Sequence, residues 1–151
     1  DSMAVTDHGV MYGVIDFYKA AREAGIKPIL GCEVYVAPGS RFDRETVSGE
    51  DRYYHLVLLA ENNKGYENLM KIVSKGFVDG FYYKPRVDYE VLRTYHEGVI
   101  ALSACLAGEV QRCLTRGMYE EAVRASEKYV DIFGPKAGKP GPYAHEQGHG
   151  P

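Results

Sequence analysis

The 151-residue chain has only three cysteines, Cys32, Cys105 and Cys113, and no CxxC pair. That is too few, and odd in number, for a disulfide framework, so a reducing compartment fits best and the chain is expected in the cytoplasm. It has no apolar run near the length of a membrane span. No basic N-terminal region leads into an apolar stretch, so no secretory signal is expected. Charge of one sign is also scarce: 18 Lys+Arg stand against 21 Asp+Glu, a formal charge of −3. This excludes binding to nucleic acid by bulk charge, but not a local basic groove. There is no Gly-rich phosphate loop, no HExxH and no Ser-His-Asp arrangement.

What is present is an alternation of short apolar runs and helical periodicities. Residues 3–6 read as a strand. Val14, Phe17, Tyr18 and Ala21 have amphipathic helical spacing up to Gly25. Ile26 to Val36 is β-rich, closed by Pro38-Gly39, and 39–52 is a polar loop. Tyr53 to Ala60 is nearly all apolar, which predicts a strand buried on both faces. Tyr66, Leu69, Met70, Val73 and Phe77 predict a helix capped by Asn62 or Asn63, and Gly76 and Gly80 bracket a turn. Asp88 caps a short helix to Tyr95, and Gly98 to Ser103 is a strand. Two helices follow, Gly108–Leu114 and Met118–Phe133, the second with Tyr119, Ala122, Ser126, Tyr129 and Phe133 on one face. This order predicts an α/β fold with parallel strands and outer helices, either a barrel or an open sheet. In both, chemistry collects at the carboxyl ends of strands.

Four groups able to ligate metal fall on four successive strands: His8 in Thr-Asp-His-Gly, Glu33 in Gly-Cys-Glu, His55 in Tyr-His-Leu and Cys105 in Ser-Ala-Cys-Leu. Imidazole, carboxylate and thiolate together suit Zn²⁺ or a similar first-row ion. Asp7, beside His8, is a candidate to orient a ligand by hydrogen bonding. Plainer readings stand beside these. A His in an apolar strand is usually a hydrogen-bonded core residue, and a Cys in a small-residue turn is usually packing. Glu33 is the most telling, because a buried carboxylate needs a partner. In Tyr82-Tyr83-Lys84-Pro85-Arg86, Lys84 and Arg86 are candidates for phosphate or nucleic-acid contact. The favoured alternative is a turn whose aromatics pack down while its charges stay in water. Glu109 is read as complementing a helix N-terminus, His96 as exposed, and Cys32 and Cys113 as core fillers.

Five blocks in order carry a resemblance: 4–9, 25–40, 53–60, 80–88 and 101–109. Together they resemble the PHP (polymerase and histidinol phosphatase) domain of bacterial replicative DNA polymerase III alpha subunits, over about residue 1 to Phe133. The resemblance implies a distorted (β/α)₇ barrel with a bi- or trinuclear Zn²⁺ or Mn²⁺ cluster at the carboxyl ends of its strands. It carries the ligand roles onto His8, Glu33, His55 and Cys105. It implies a phosphoesterase or 3′→5′ exonuclease within a DNA-directed DNA polymerase that has DNA, the other alpha-subunit domains, a proofreading exonuclease subunit and the sliding clamp as partners. The family's first-strand His-x-His pair would precede residue 1 and its late Asp-x-His pair would follow residue 151. The chain therefore reads as a partial domain, 1–133, lacking its first and late strands and inactive in isolation. Residues 134–151 form a tail with four of the seven prolines and five of the 17 glycines, either loop or a divergent strand. A docking module without catalysis, and a free-standing phosphoesterase of the histidinol phosphatase type, are the alternatives.

Overall fold

A computed structural model describes residues 1–45, 52–103 and 105–134. Nearly all of the 134–151 tail lies outside the described residues. Along the chain run β1 (Ser2–His8), α1 (Val14–Glu23), β2 (Lys27–Val36), β3 (Tyr54–Ala60) and α2 (Asn63–Val78). Then come β4 (Phe81–Tyr82), β5 (Lys84–Val87), α3 (Tyr89–Thr94), β6 (Val99–Leu102), α4 (Glu109–Thr115) and α5 (Tyr119–Phe133). No described helix is long and apolar enough to cross a membrane.

The six strands form a mixed sheet in the order β4-β5-β2-β3-β6, with β1 also paired to β2. Strand β2 is the hub. Along one edge it pairs in parallel with β1, from Ser2↔Lys27 to His8↔Glu33, and then with β5 at Tyr35↔Arg86 and Val36↔Val87. Along its other edge it pairs with β3, antiparallel, from Gly31↔Leu59 to Val36↔Tyr54. Strand β6 is again antiparallel to β3, and β4 to β5. The expectation of parallel strands thus holds for β1–β2 and β2–β5 and is corrected for β2–β3, β3–β6 and β4–β5. A helical crossover joins β1 to β2 and brings the chain back parallel, whereas no helix is described between β2 and β3 and the chain returns antiparallel. Among the described residues no strand pair closes the sheet into a barrel.

Alternation along the strands sorts side chains onto two faces. One face carries Cys32, Val34, Val36, Leu56, Leu58, Val99 and Ala101, all buried with Leu69 and Ile72 of α2, Val91 and Leu92 of α3, and Tyr129 and Ile132 of α5. This is the hydrophobic core. Full burial of a Leu or Ile contributes about 1.5–3 kcal/mol, so Leu56, Leu58, Leu69, Ile72 and Leu92 dominate the packing. The other face carries Gly31, Glu33, Tyr35, His55, Val57, Leu59, Ile100 and Leu102. Strand β3 is thus not buried on both faces: Leu56 and Leu58 are buried, whereas His55, Val57 and Leu59 are half-exposed, because no described layer covers that side.

Helix α2 presents a different stripe from the one read in the sequence. Gly65, Asn68, Leu69, Ile72 and Gly76 are buried, while Met70 and Phe77 are exposed. Gly76 lies inside the helix against Pro85 rather than in a turn. The polar and glycine positions belong to a close contact. Asn62 caps the helix by accepting from Gly65 N at 2.9 Å, and Asn68 Nδ2 donates to Glu97 O at 2.8 Å. A Cβ on Gly65 would sit 1.7 Å from the Gly98 carbonyl oxygen.

Within the polar loop after β2, Arg41 is buried and donates to both Asp88 oxygens at 3.1 and 3.0 Å and to Glu90 at 2.9 Å. Burial opposes its charge, but the bonds to Glu90 and Asp88 outweigh burial and raise its pKa. Asp88 also caps α3 as expected, accepting from Val91 N at 3.1 Å. One buried ion pair therefore fastens the loop to the start of α3.

Gly65→Ala tests the α2 contact. Alanine gains about 1 kcal/mol of helix propensity, but a methyl group cannot share space with a carbonyl. The variant is expected to lose at least about 2 kcal/mol in urea denaturation. Stability equal to wild type would refute the contact.

Candidate metal centre

The end of β1, the far half of β2, the start of β3 and the segment after β6 meet at one end of the sheet. The antiparallel course of β3 is what makes this possible. His55 stands early in its strand, and only a strand running against β2 places that end beside the carboxyl ends of β1, β2 and β6.

Glu33 is buried at the centre of the group. Its Oε2 lies 3.3 Å from His8 Nδ1, directly across the β1–β2 ladder. Its Oε1 lies against His55 Nδ1 but without hydrogen-bond geometry, and it has no hydrogen-bond partner among the described residues. The same His55 nitrogen is 3.4 Å from Cys105 Sγ. Ligand atoms of Glu33, His55 and Cys105 all fall within 4.8 Å of one another. A carboxylate and a thiol thus face one ring nitrogen, which has a single proton or a single lone pair to offer. A buried carboxylate oxygen left without a hydrogen bond costs several kcal/mol, and a cation among the three atoms would remove that cost. Carboxylate, imidazole and thiolate are together a suitable donor set for a first-row divalent ion. His8 stands at the edge of this group, beside Glu33, with its side chain 70% exposed.

Aromatic rings fix the His55 imidazole. Tyr35 meets it edge-on at 5.2 Å between centroids, and Tyr53 stacks on it at 5.9 Å and 12°. Gly9, next to His8, is required here. Its φ is +72°, and a Cβ would lie 2.6 Å from the Tyr35 ring. Its N–H donates to Glu33 O at 2.8 Å and extends the β1–β2 ladder past His8.

Comparison with known proteins gives the family. A family model described as the PHP domain matches residues 1–138. The chain belongs to the PHP domain family. Among its relatives, the DNA polymerase III subunit alpha of Treponema pallidum is 50% identical over 134 residues, covering 89% of this chain and 12% of that protein. The subunit alpha of Aquifex aeolicus is 45% identical over 138 residues, covering 88% and 12%. That of Thermus aquaticus is 44% identical over 134 residues, covering 88% and 11%. The chain therefore spans about an eighth of the length of these relatives.

Other expectations for this PHP domain fare unevenly. Asp7 does not face the other candidate ligands. It pairs with Cys32 on the face opposite His8, and its Oδ2 accepts from Gly13 N at 3.0 Å, at the start of α1. Strand alternation turns neighbouring side chains to opposite faces of the sheet. Arg86 does not keep its charge in water either. It is buried and donates to the carbonyls of Gly80, Arg41, Asp43 and Arg52, and burial lowers its pKa. Four of its five guanidinium N–H donors are thus directed at backbone carbonyls. Lys84 is exposed, with Nζ 5.6 Å from the Tyr35 ring centroid, on the site side of the sheet.

Three features were missed in the sequence. Tyr35 and Tyr53 flank His55, and alternation from Glu33 would have found the first. Glu109 is more than a helix-end charge: it accepts from the Tyr89 hydroxyl, and from the Tyr129 hydroxyl at 3.1 Å. Burial, with this carboxylate alongside, raises the pKa of both tyrosines. Gln111 donates to Ser103 beside the Cys105 segment. His96 is exposed as expected, while Cys113 is only half-buried.

The three thiols differ in a measurable way. Cys32 is fully buried, and burial pushes its thiol up to about 12. Cys105 and Cys113 are partly exposed. Native protein stripped of metal by a chelator and treated with a maleimide at pH 7.5 is expected to be modified at Cys105 and Cys113 and spared at Cys32, with all three modified in urea. Mass-spectrometric mapping reads this directly, and early labelling of Cys32 in native protein would contradict the sheet faces described.

Proposed function

We propose that this PHP domain is a metal-dependent phosphoesterase module of a replicative DNA polymerase III alpha subunit, acting on DNA as a 3′→5′ exonuclease. The single observation that supports it best is the buried Glu33 Oε1 without a hydrogen bond, faced by His55 Nδ1 and Cys105 Sγ. The names of the relatives support the replicative setting. In this reading Glu33, His55 and Cys105 hold Zn²⁺ or Mn²⁺, and His8 completes the set from β1. A thiolate donor favours Zn²⁺ over the harder Mn²⁺.

Bound metal supplies positive charge that neutralises the charge developing on a phosphodiester under attack by water. The chain's own residues do the rest. Glu33 links the two histidines through its two oxygens. Tyr35 and Tyr53 hold the His55 ring so that Nδ1 faces the other donors. Lys84 makes no ion pair among the described residues and offers an ammonium to a substrate phosphate on the site face. Arg86 is spent on the fold and takes no part. Nucleotidyl transfer belongs to other parts of the parent polymerase.

The test is metal content and hydrolysis measured together on the intact polymerase subunit. Wild type is expected to retain Zn²⁺ after dialysis and to shorten single-stranded DNA from its 3′ end. Glu33→Gln and His55→Ala should each lower metal occupancy at least about tenfold and abolish the hydrolysis while polymerisation persists. Hydrolysis that survives in both variants would overturn the reading.

A further inference from the structure

Helix α4 follows directly on the segment that carries Cys105, yet none of its residues is fully buried. Polar side chains anchor it. Glu109 ties its first turn to the hydroxyls of Tyr89 on α3 and Tyr129 on α5. Gln111 points back toward the sheet. Its Nε2 donates to the Ser103 carbonyl and lies 3.3 Å from Ser103 Oγ.

Ser103 is the first residue past the β3–β6 ladder, whose last pair is Val57↔Leu102. Its carbonyl has left the sheet and needs a partner; Gln111 provides one. Two residues on, the Cys105 carbonyl accepts from Gly108 N at 2.8 Å and Cys105 Sγ accepts from Ala107 N at 3.4 Å. The Ala107 carbonyl accepts from His55 N at 3.1 Å. The Cys105 segment is thus held on one side by the backbone of β3 and on the other by one amide side chain. Gly108 makes room for that amide, since a Cβ there would lie 2.5 Å from Gln111 Oε1. Gln111 Oε1 is itself buried without a hydrogen-bond partner, so the amide's only side-chain hydrogen bonds among the described residues go to Ser103.

We propose that Gln111 is a positioning residue for Cys105, pinning the Ser103 end of the segment so that Sγ faces His55 Nδ1 and Glu33. This rests on the metal-site reading above and deepens it. Gln111 never touches the metal, and it decides whether the site presents a sulfur ligand or only nitrogen and oxygen. Since sulfur is what separates thiophilic Zn²⁺ and Co²⁺ from Mn²⁺, Gln111 sets metal preference through Cys105.

Co²⁺ is the probe, because a cobalt–thiolate bond has its own near-ultraviolet charge-transfer absorption. Wild-type protein should show that band and Cys105→Ser should lack it. Gln111→Met, which keeps the side chain's length but removes the amide, is expected to weaken Co²⁺ and Zn²⁺ binding about 10–100-fold. It should also diminish the band at saturating Co²⁺ while leaving Mn²⁺ binding unchanged. Gln111→Glu, which replaces the donor by a second acceptor, should do the same and carries the test if the methionine variant does not fold. A wild-type band that persists unchanged in both Gln111 variants, even with a lowered melting temperature, would overturn the positioning role alone. Absence of the band in the wild type itself would overturn Cys105 as a ligand, and the positioning role with it.

Discussion

A carboxylate buried in the middle of a sheet constrains everything around it. Glu33 sits on β2, the strand that pairs with β1, β3 and β5. Its charge must be met on the side of the sheet away from the hydrophobic core, because the core face holds only apolar groups at that level. The neighbouring elements supply what meets it: His8 across one ladder, His55 from the strand along the other edge, Cys105 from beyond β6. Removing water from such a group is worthwhile only where something returns the lost solvation. The two histidines return part of it, Glu33 Oε1 still lacks a hydrogen bond, and with Cys105 these groups form the donor set a divalent ion requires.

The direction of β3 is the topological condition for this convergence. In an all-parallel sheet, a histidine at the start of a strand lies at the opposite end from a glutamate late in its neighbour. The β2–β3 reversal brings His55 level with Tyr35, whose ring then clamps it. The same reversal makes β6 run with β2, so that the segment leaving β6 delivers Cys105 to the same end. The hydrogen bonds from α4 to Ser103 and from His55 N to Ala107 O set where that segment stops.

Much of this was legible in the residues, and what was not has physical causes. The elements follow from hydrophobic period and caps: Asn62 and Asp88 cap helices as their positions indicate. The four candidate ligands could be named from donor chemistry and motif. Strand direction could not, since an apolar run has the same period in either direction, and the loop after β2 has no signature of reversal. Asp7 was misplaced because adjacency in sequence means opposite faces in a strand. Arg41 and Arg86 look like solvated charges, but their partners, Asp88 and a set of backbone carbonyls, come from elements 40 or more residues away or from backbone atoms that carry no sequence signal. Gln111 was hidden because its partner is a backbone carbonyl, and Glu109 because its partners, the Tyr89 and Tyr129 hydroxyls, lie 20 residues away on either side.

The central claim is that Glu33, His55 and Cys105 bind one ion together. X-ray absorption at the zinc edge of the metal-loaded protein tests it most directly. The account predicts one sulfur scatterer at about 2.3 Å with the remaining ligands nitrogen or oxygen at about 2.0–2.2 Å, and loss of the sulfur shell in Cys105→Ser. A zinc shell of nitrogen and oxygen alone in the wild type would contradict it.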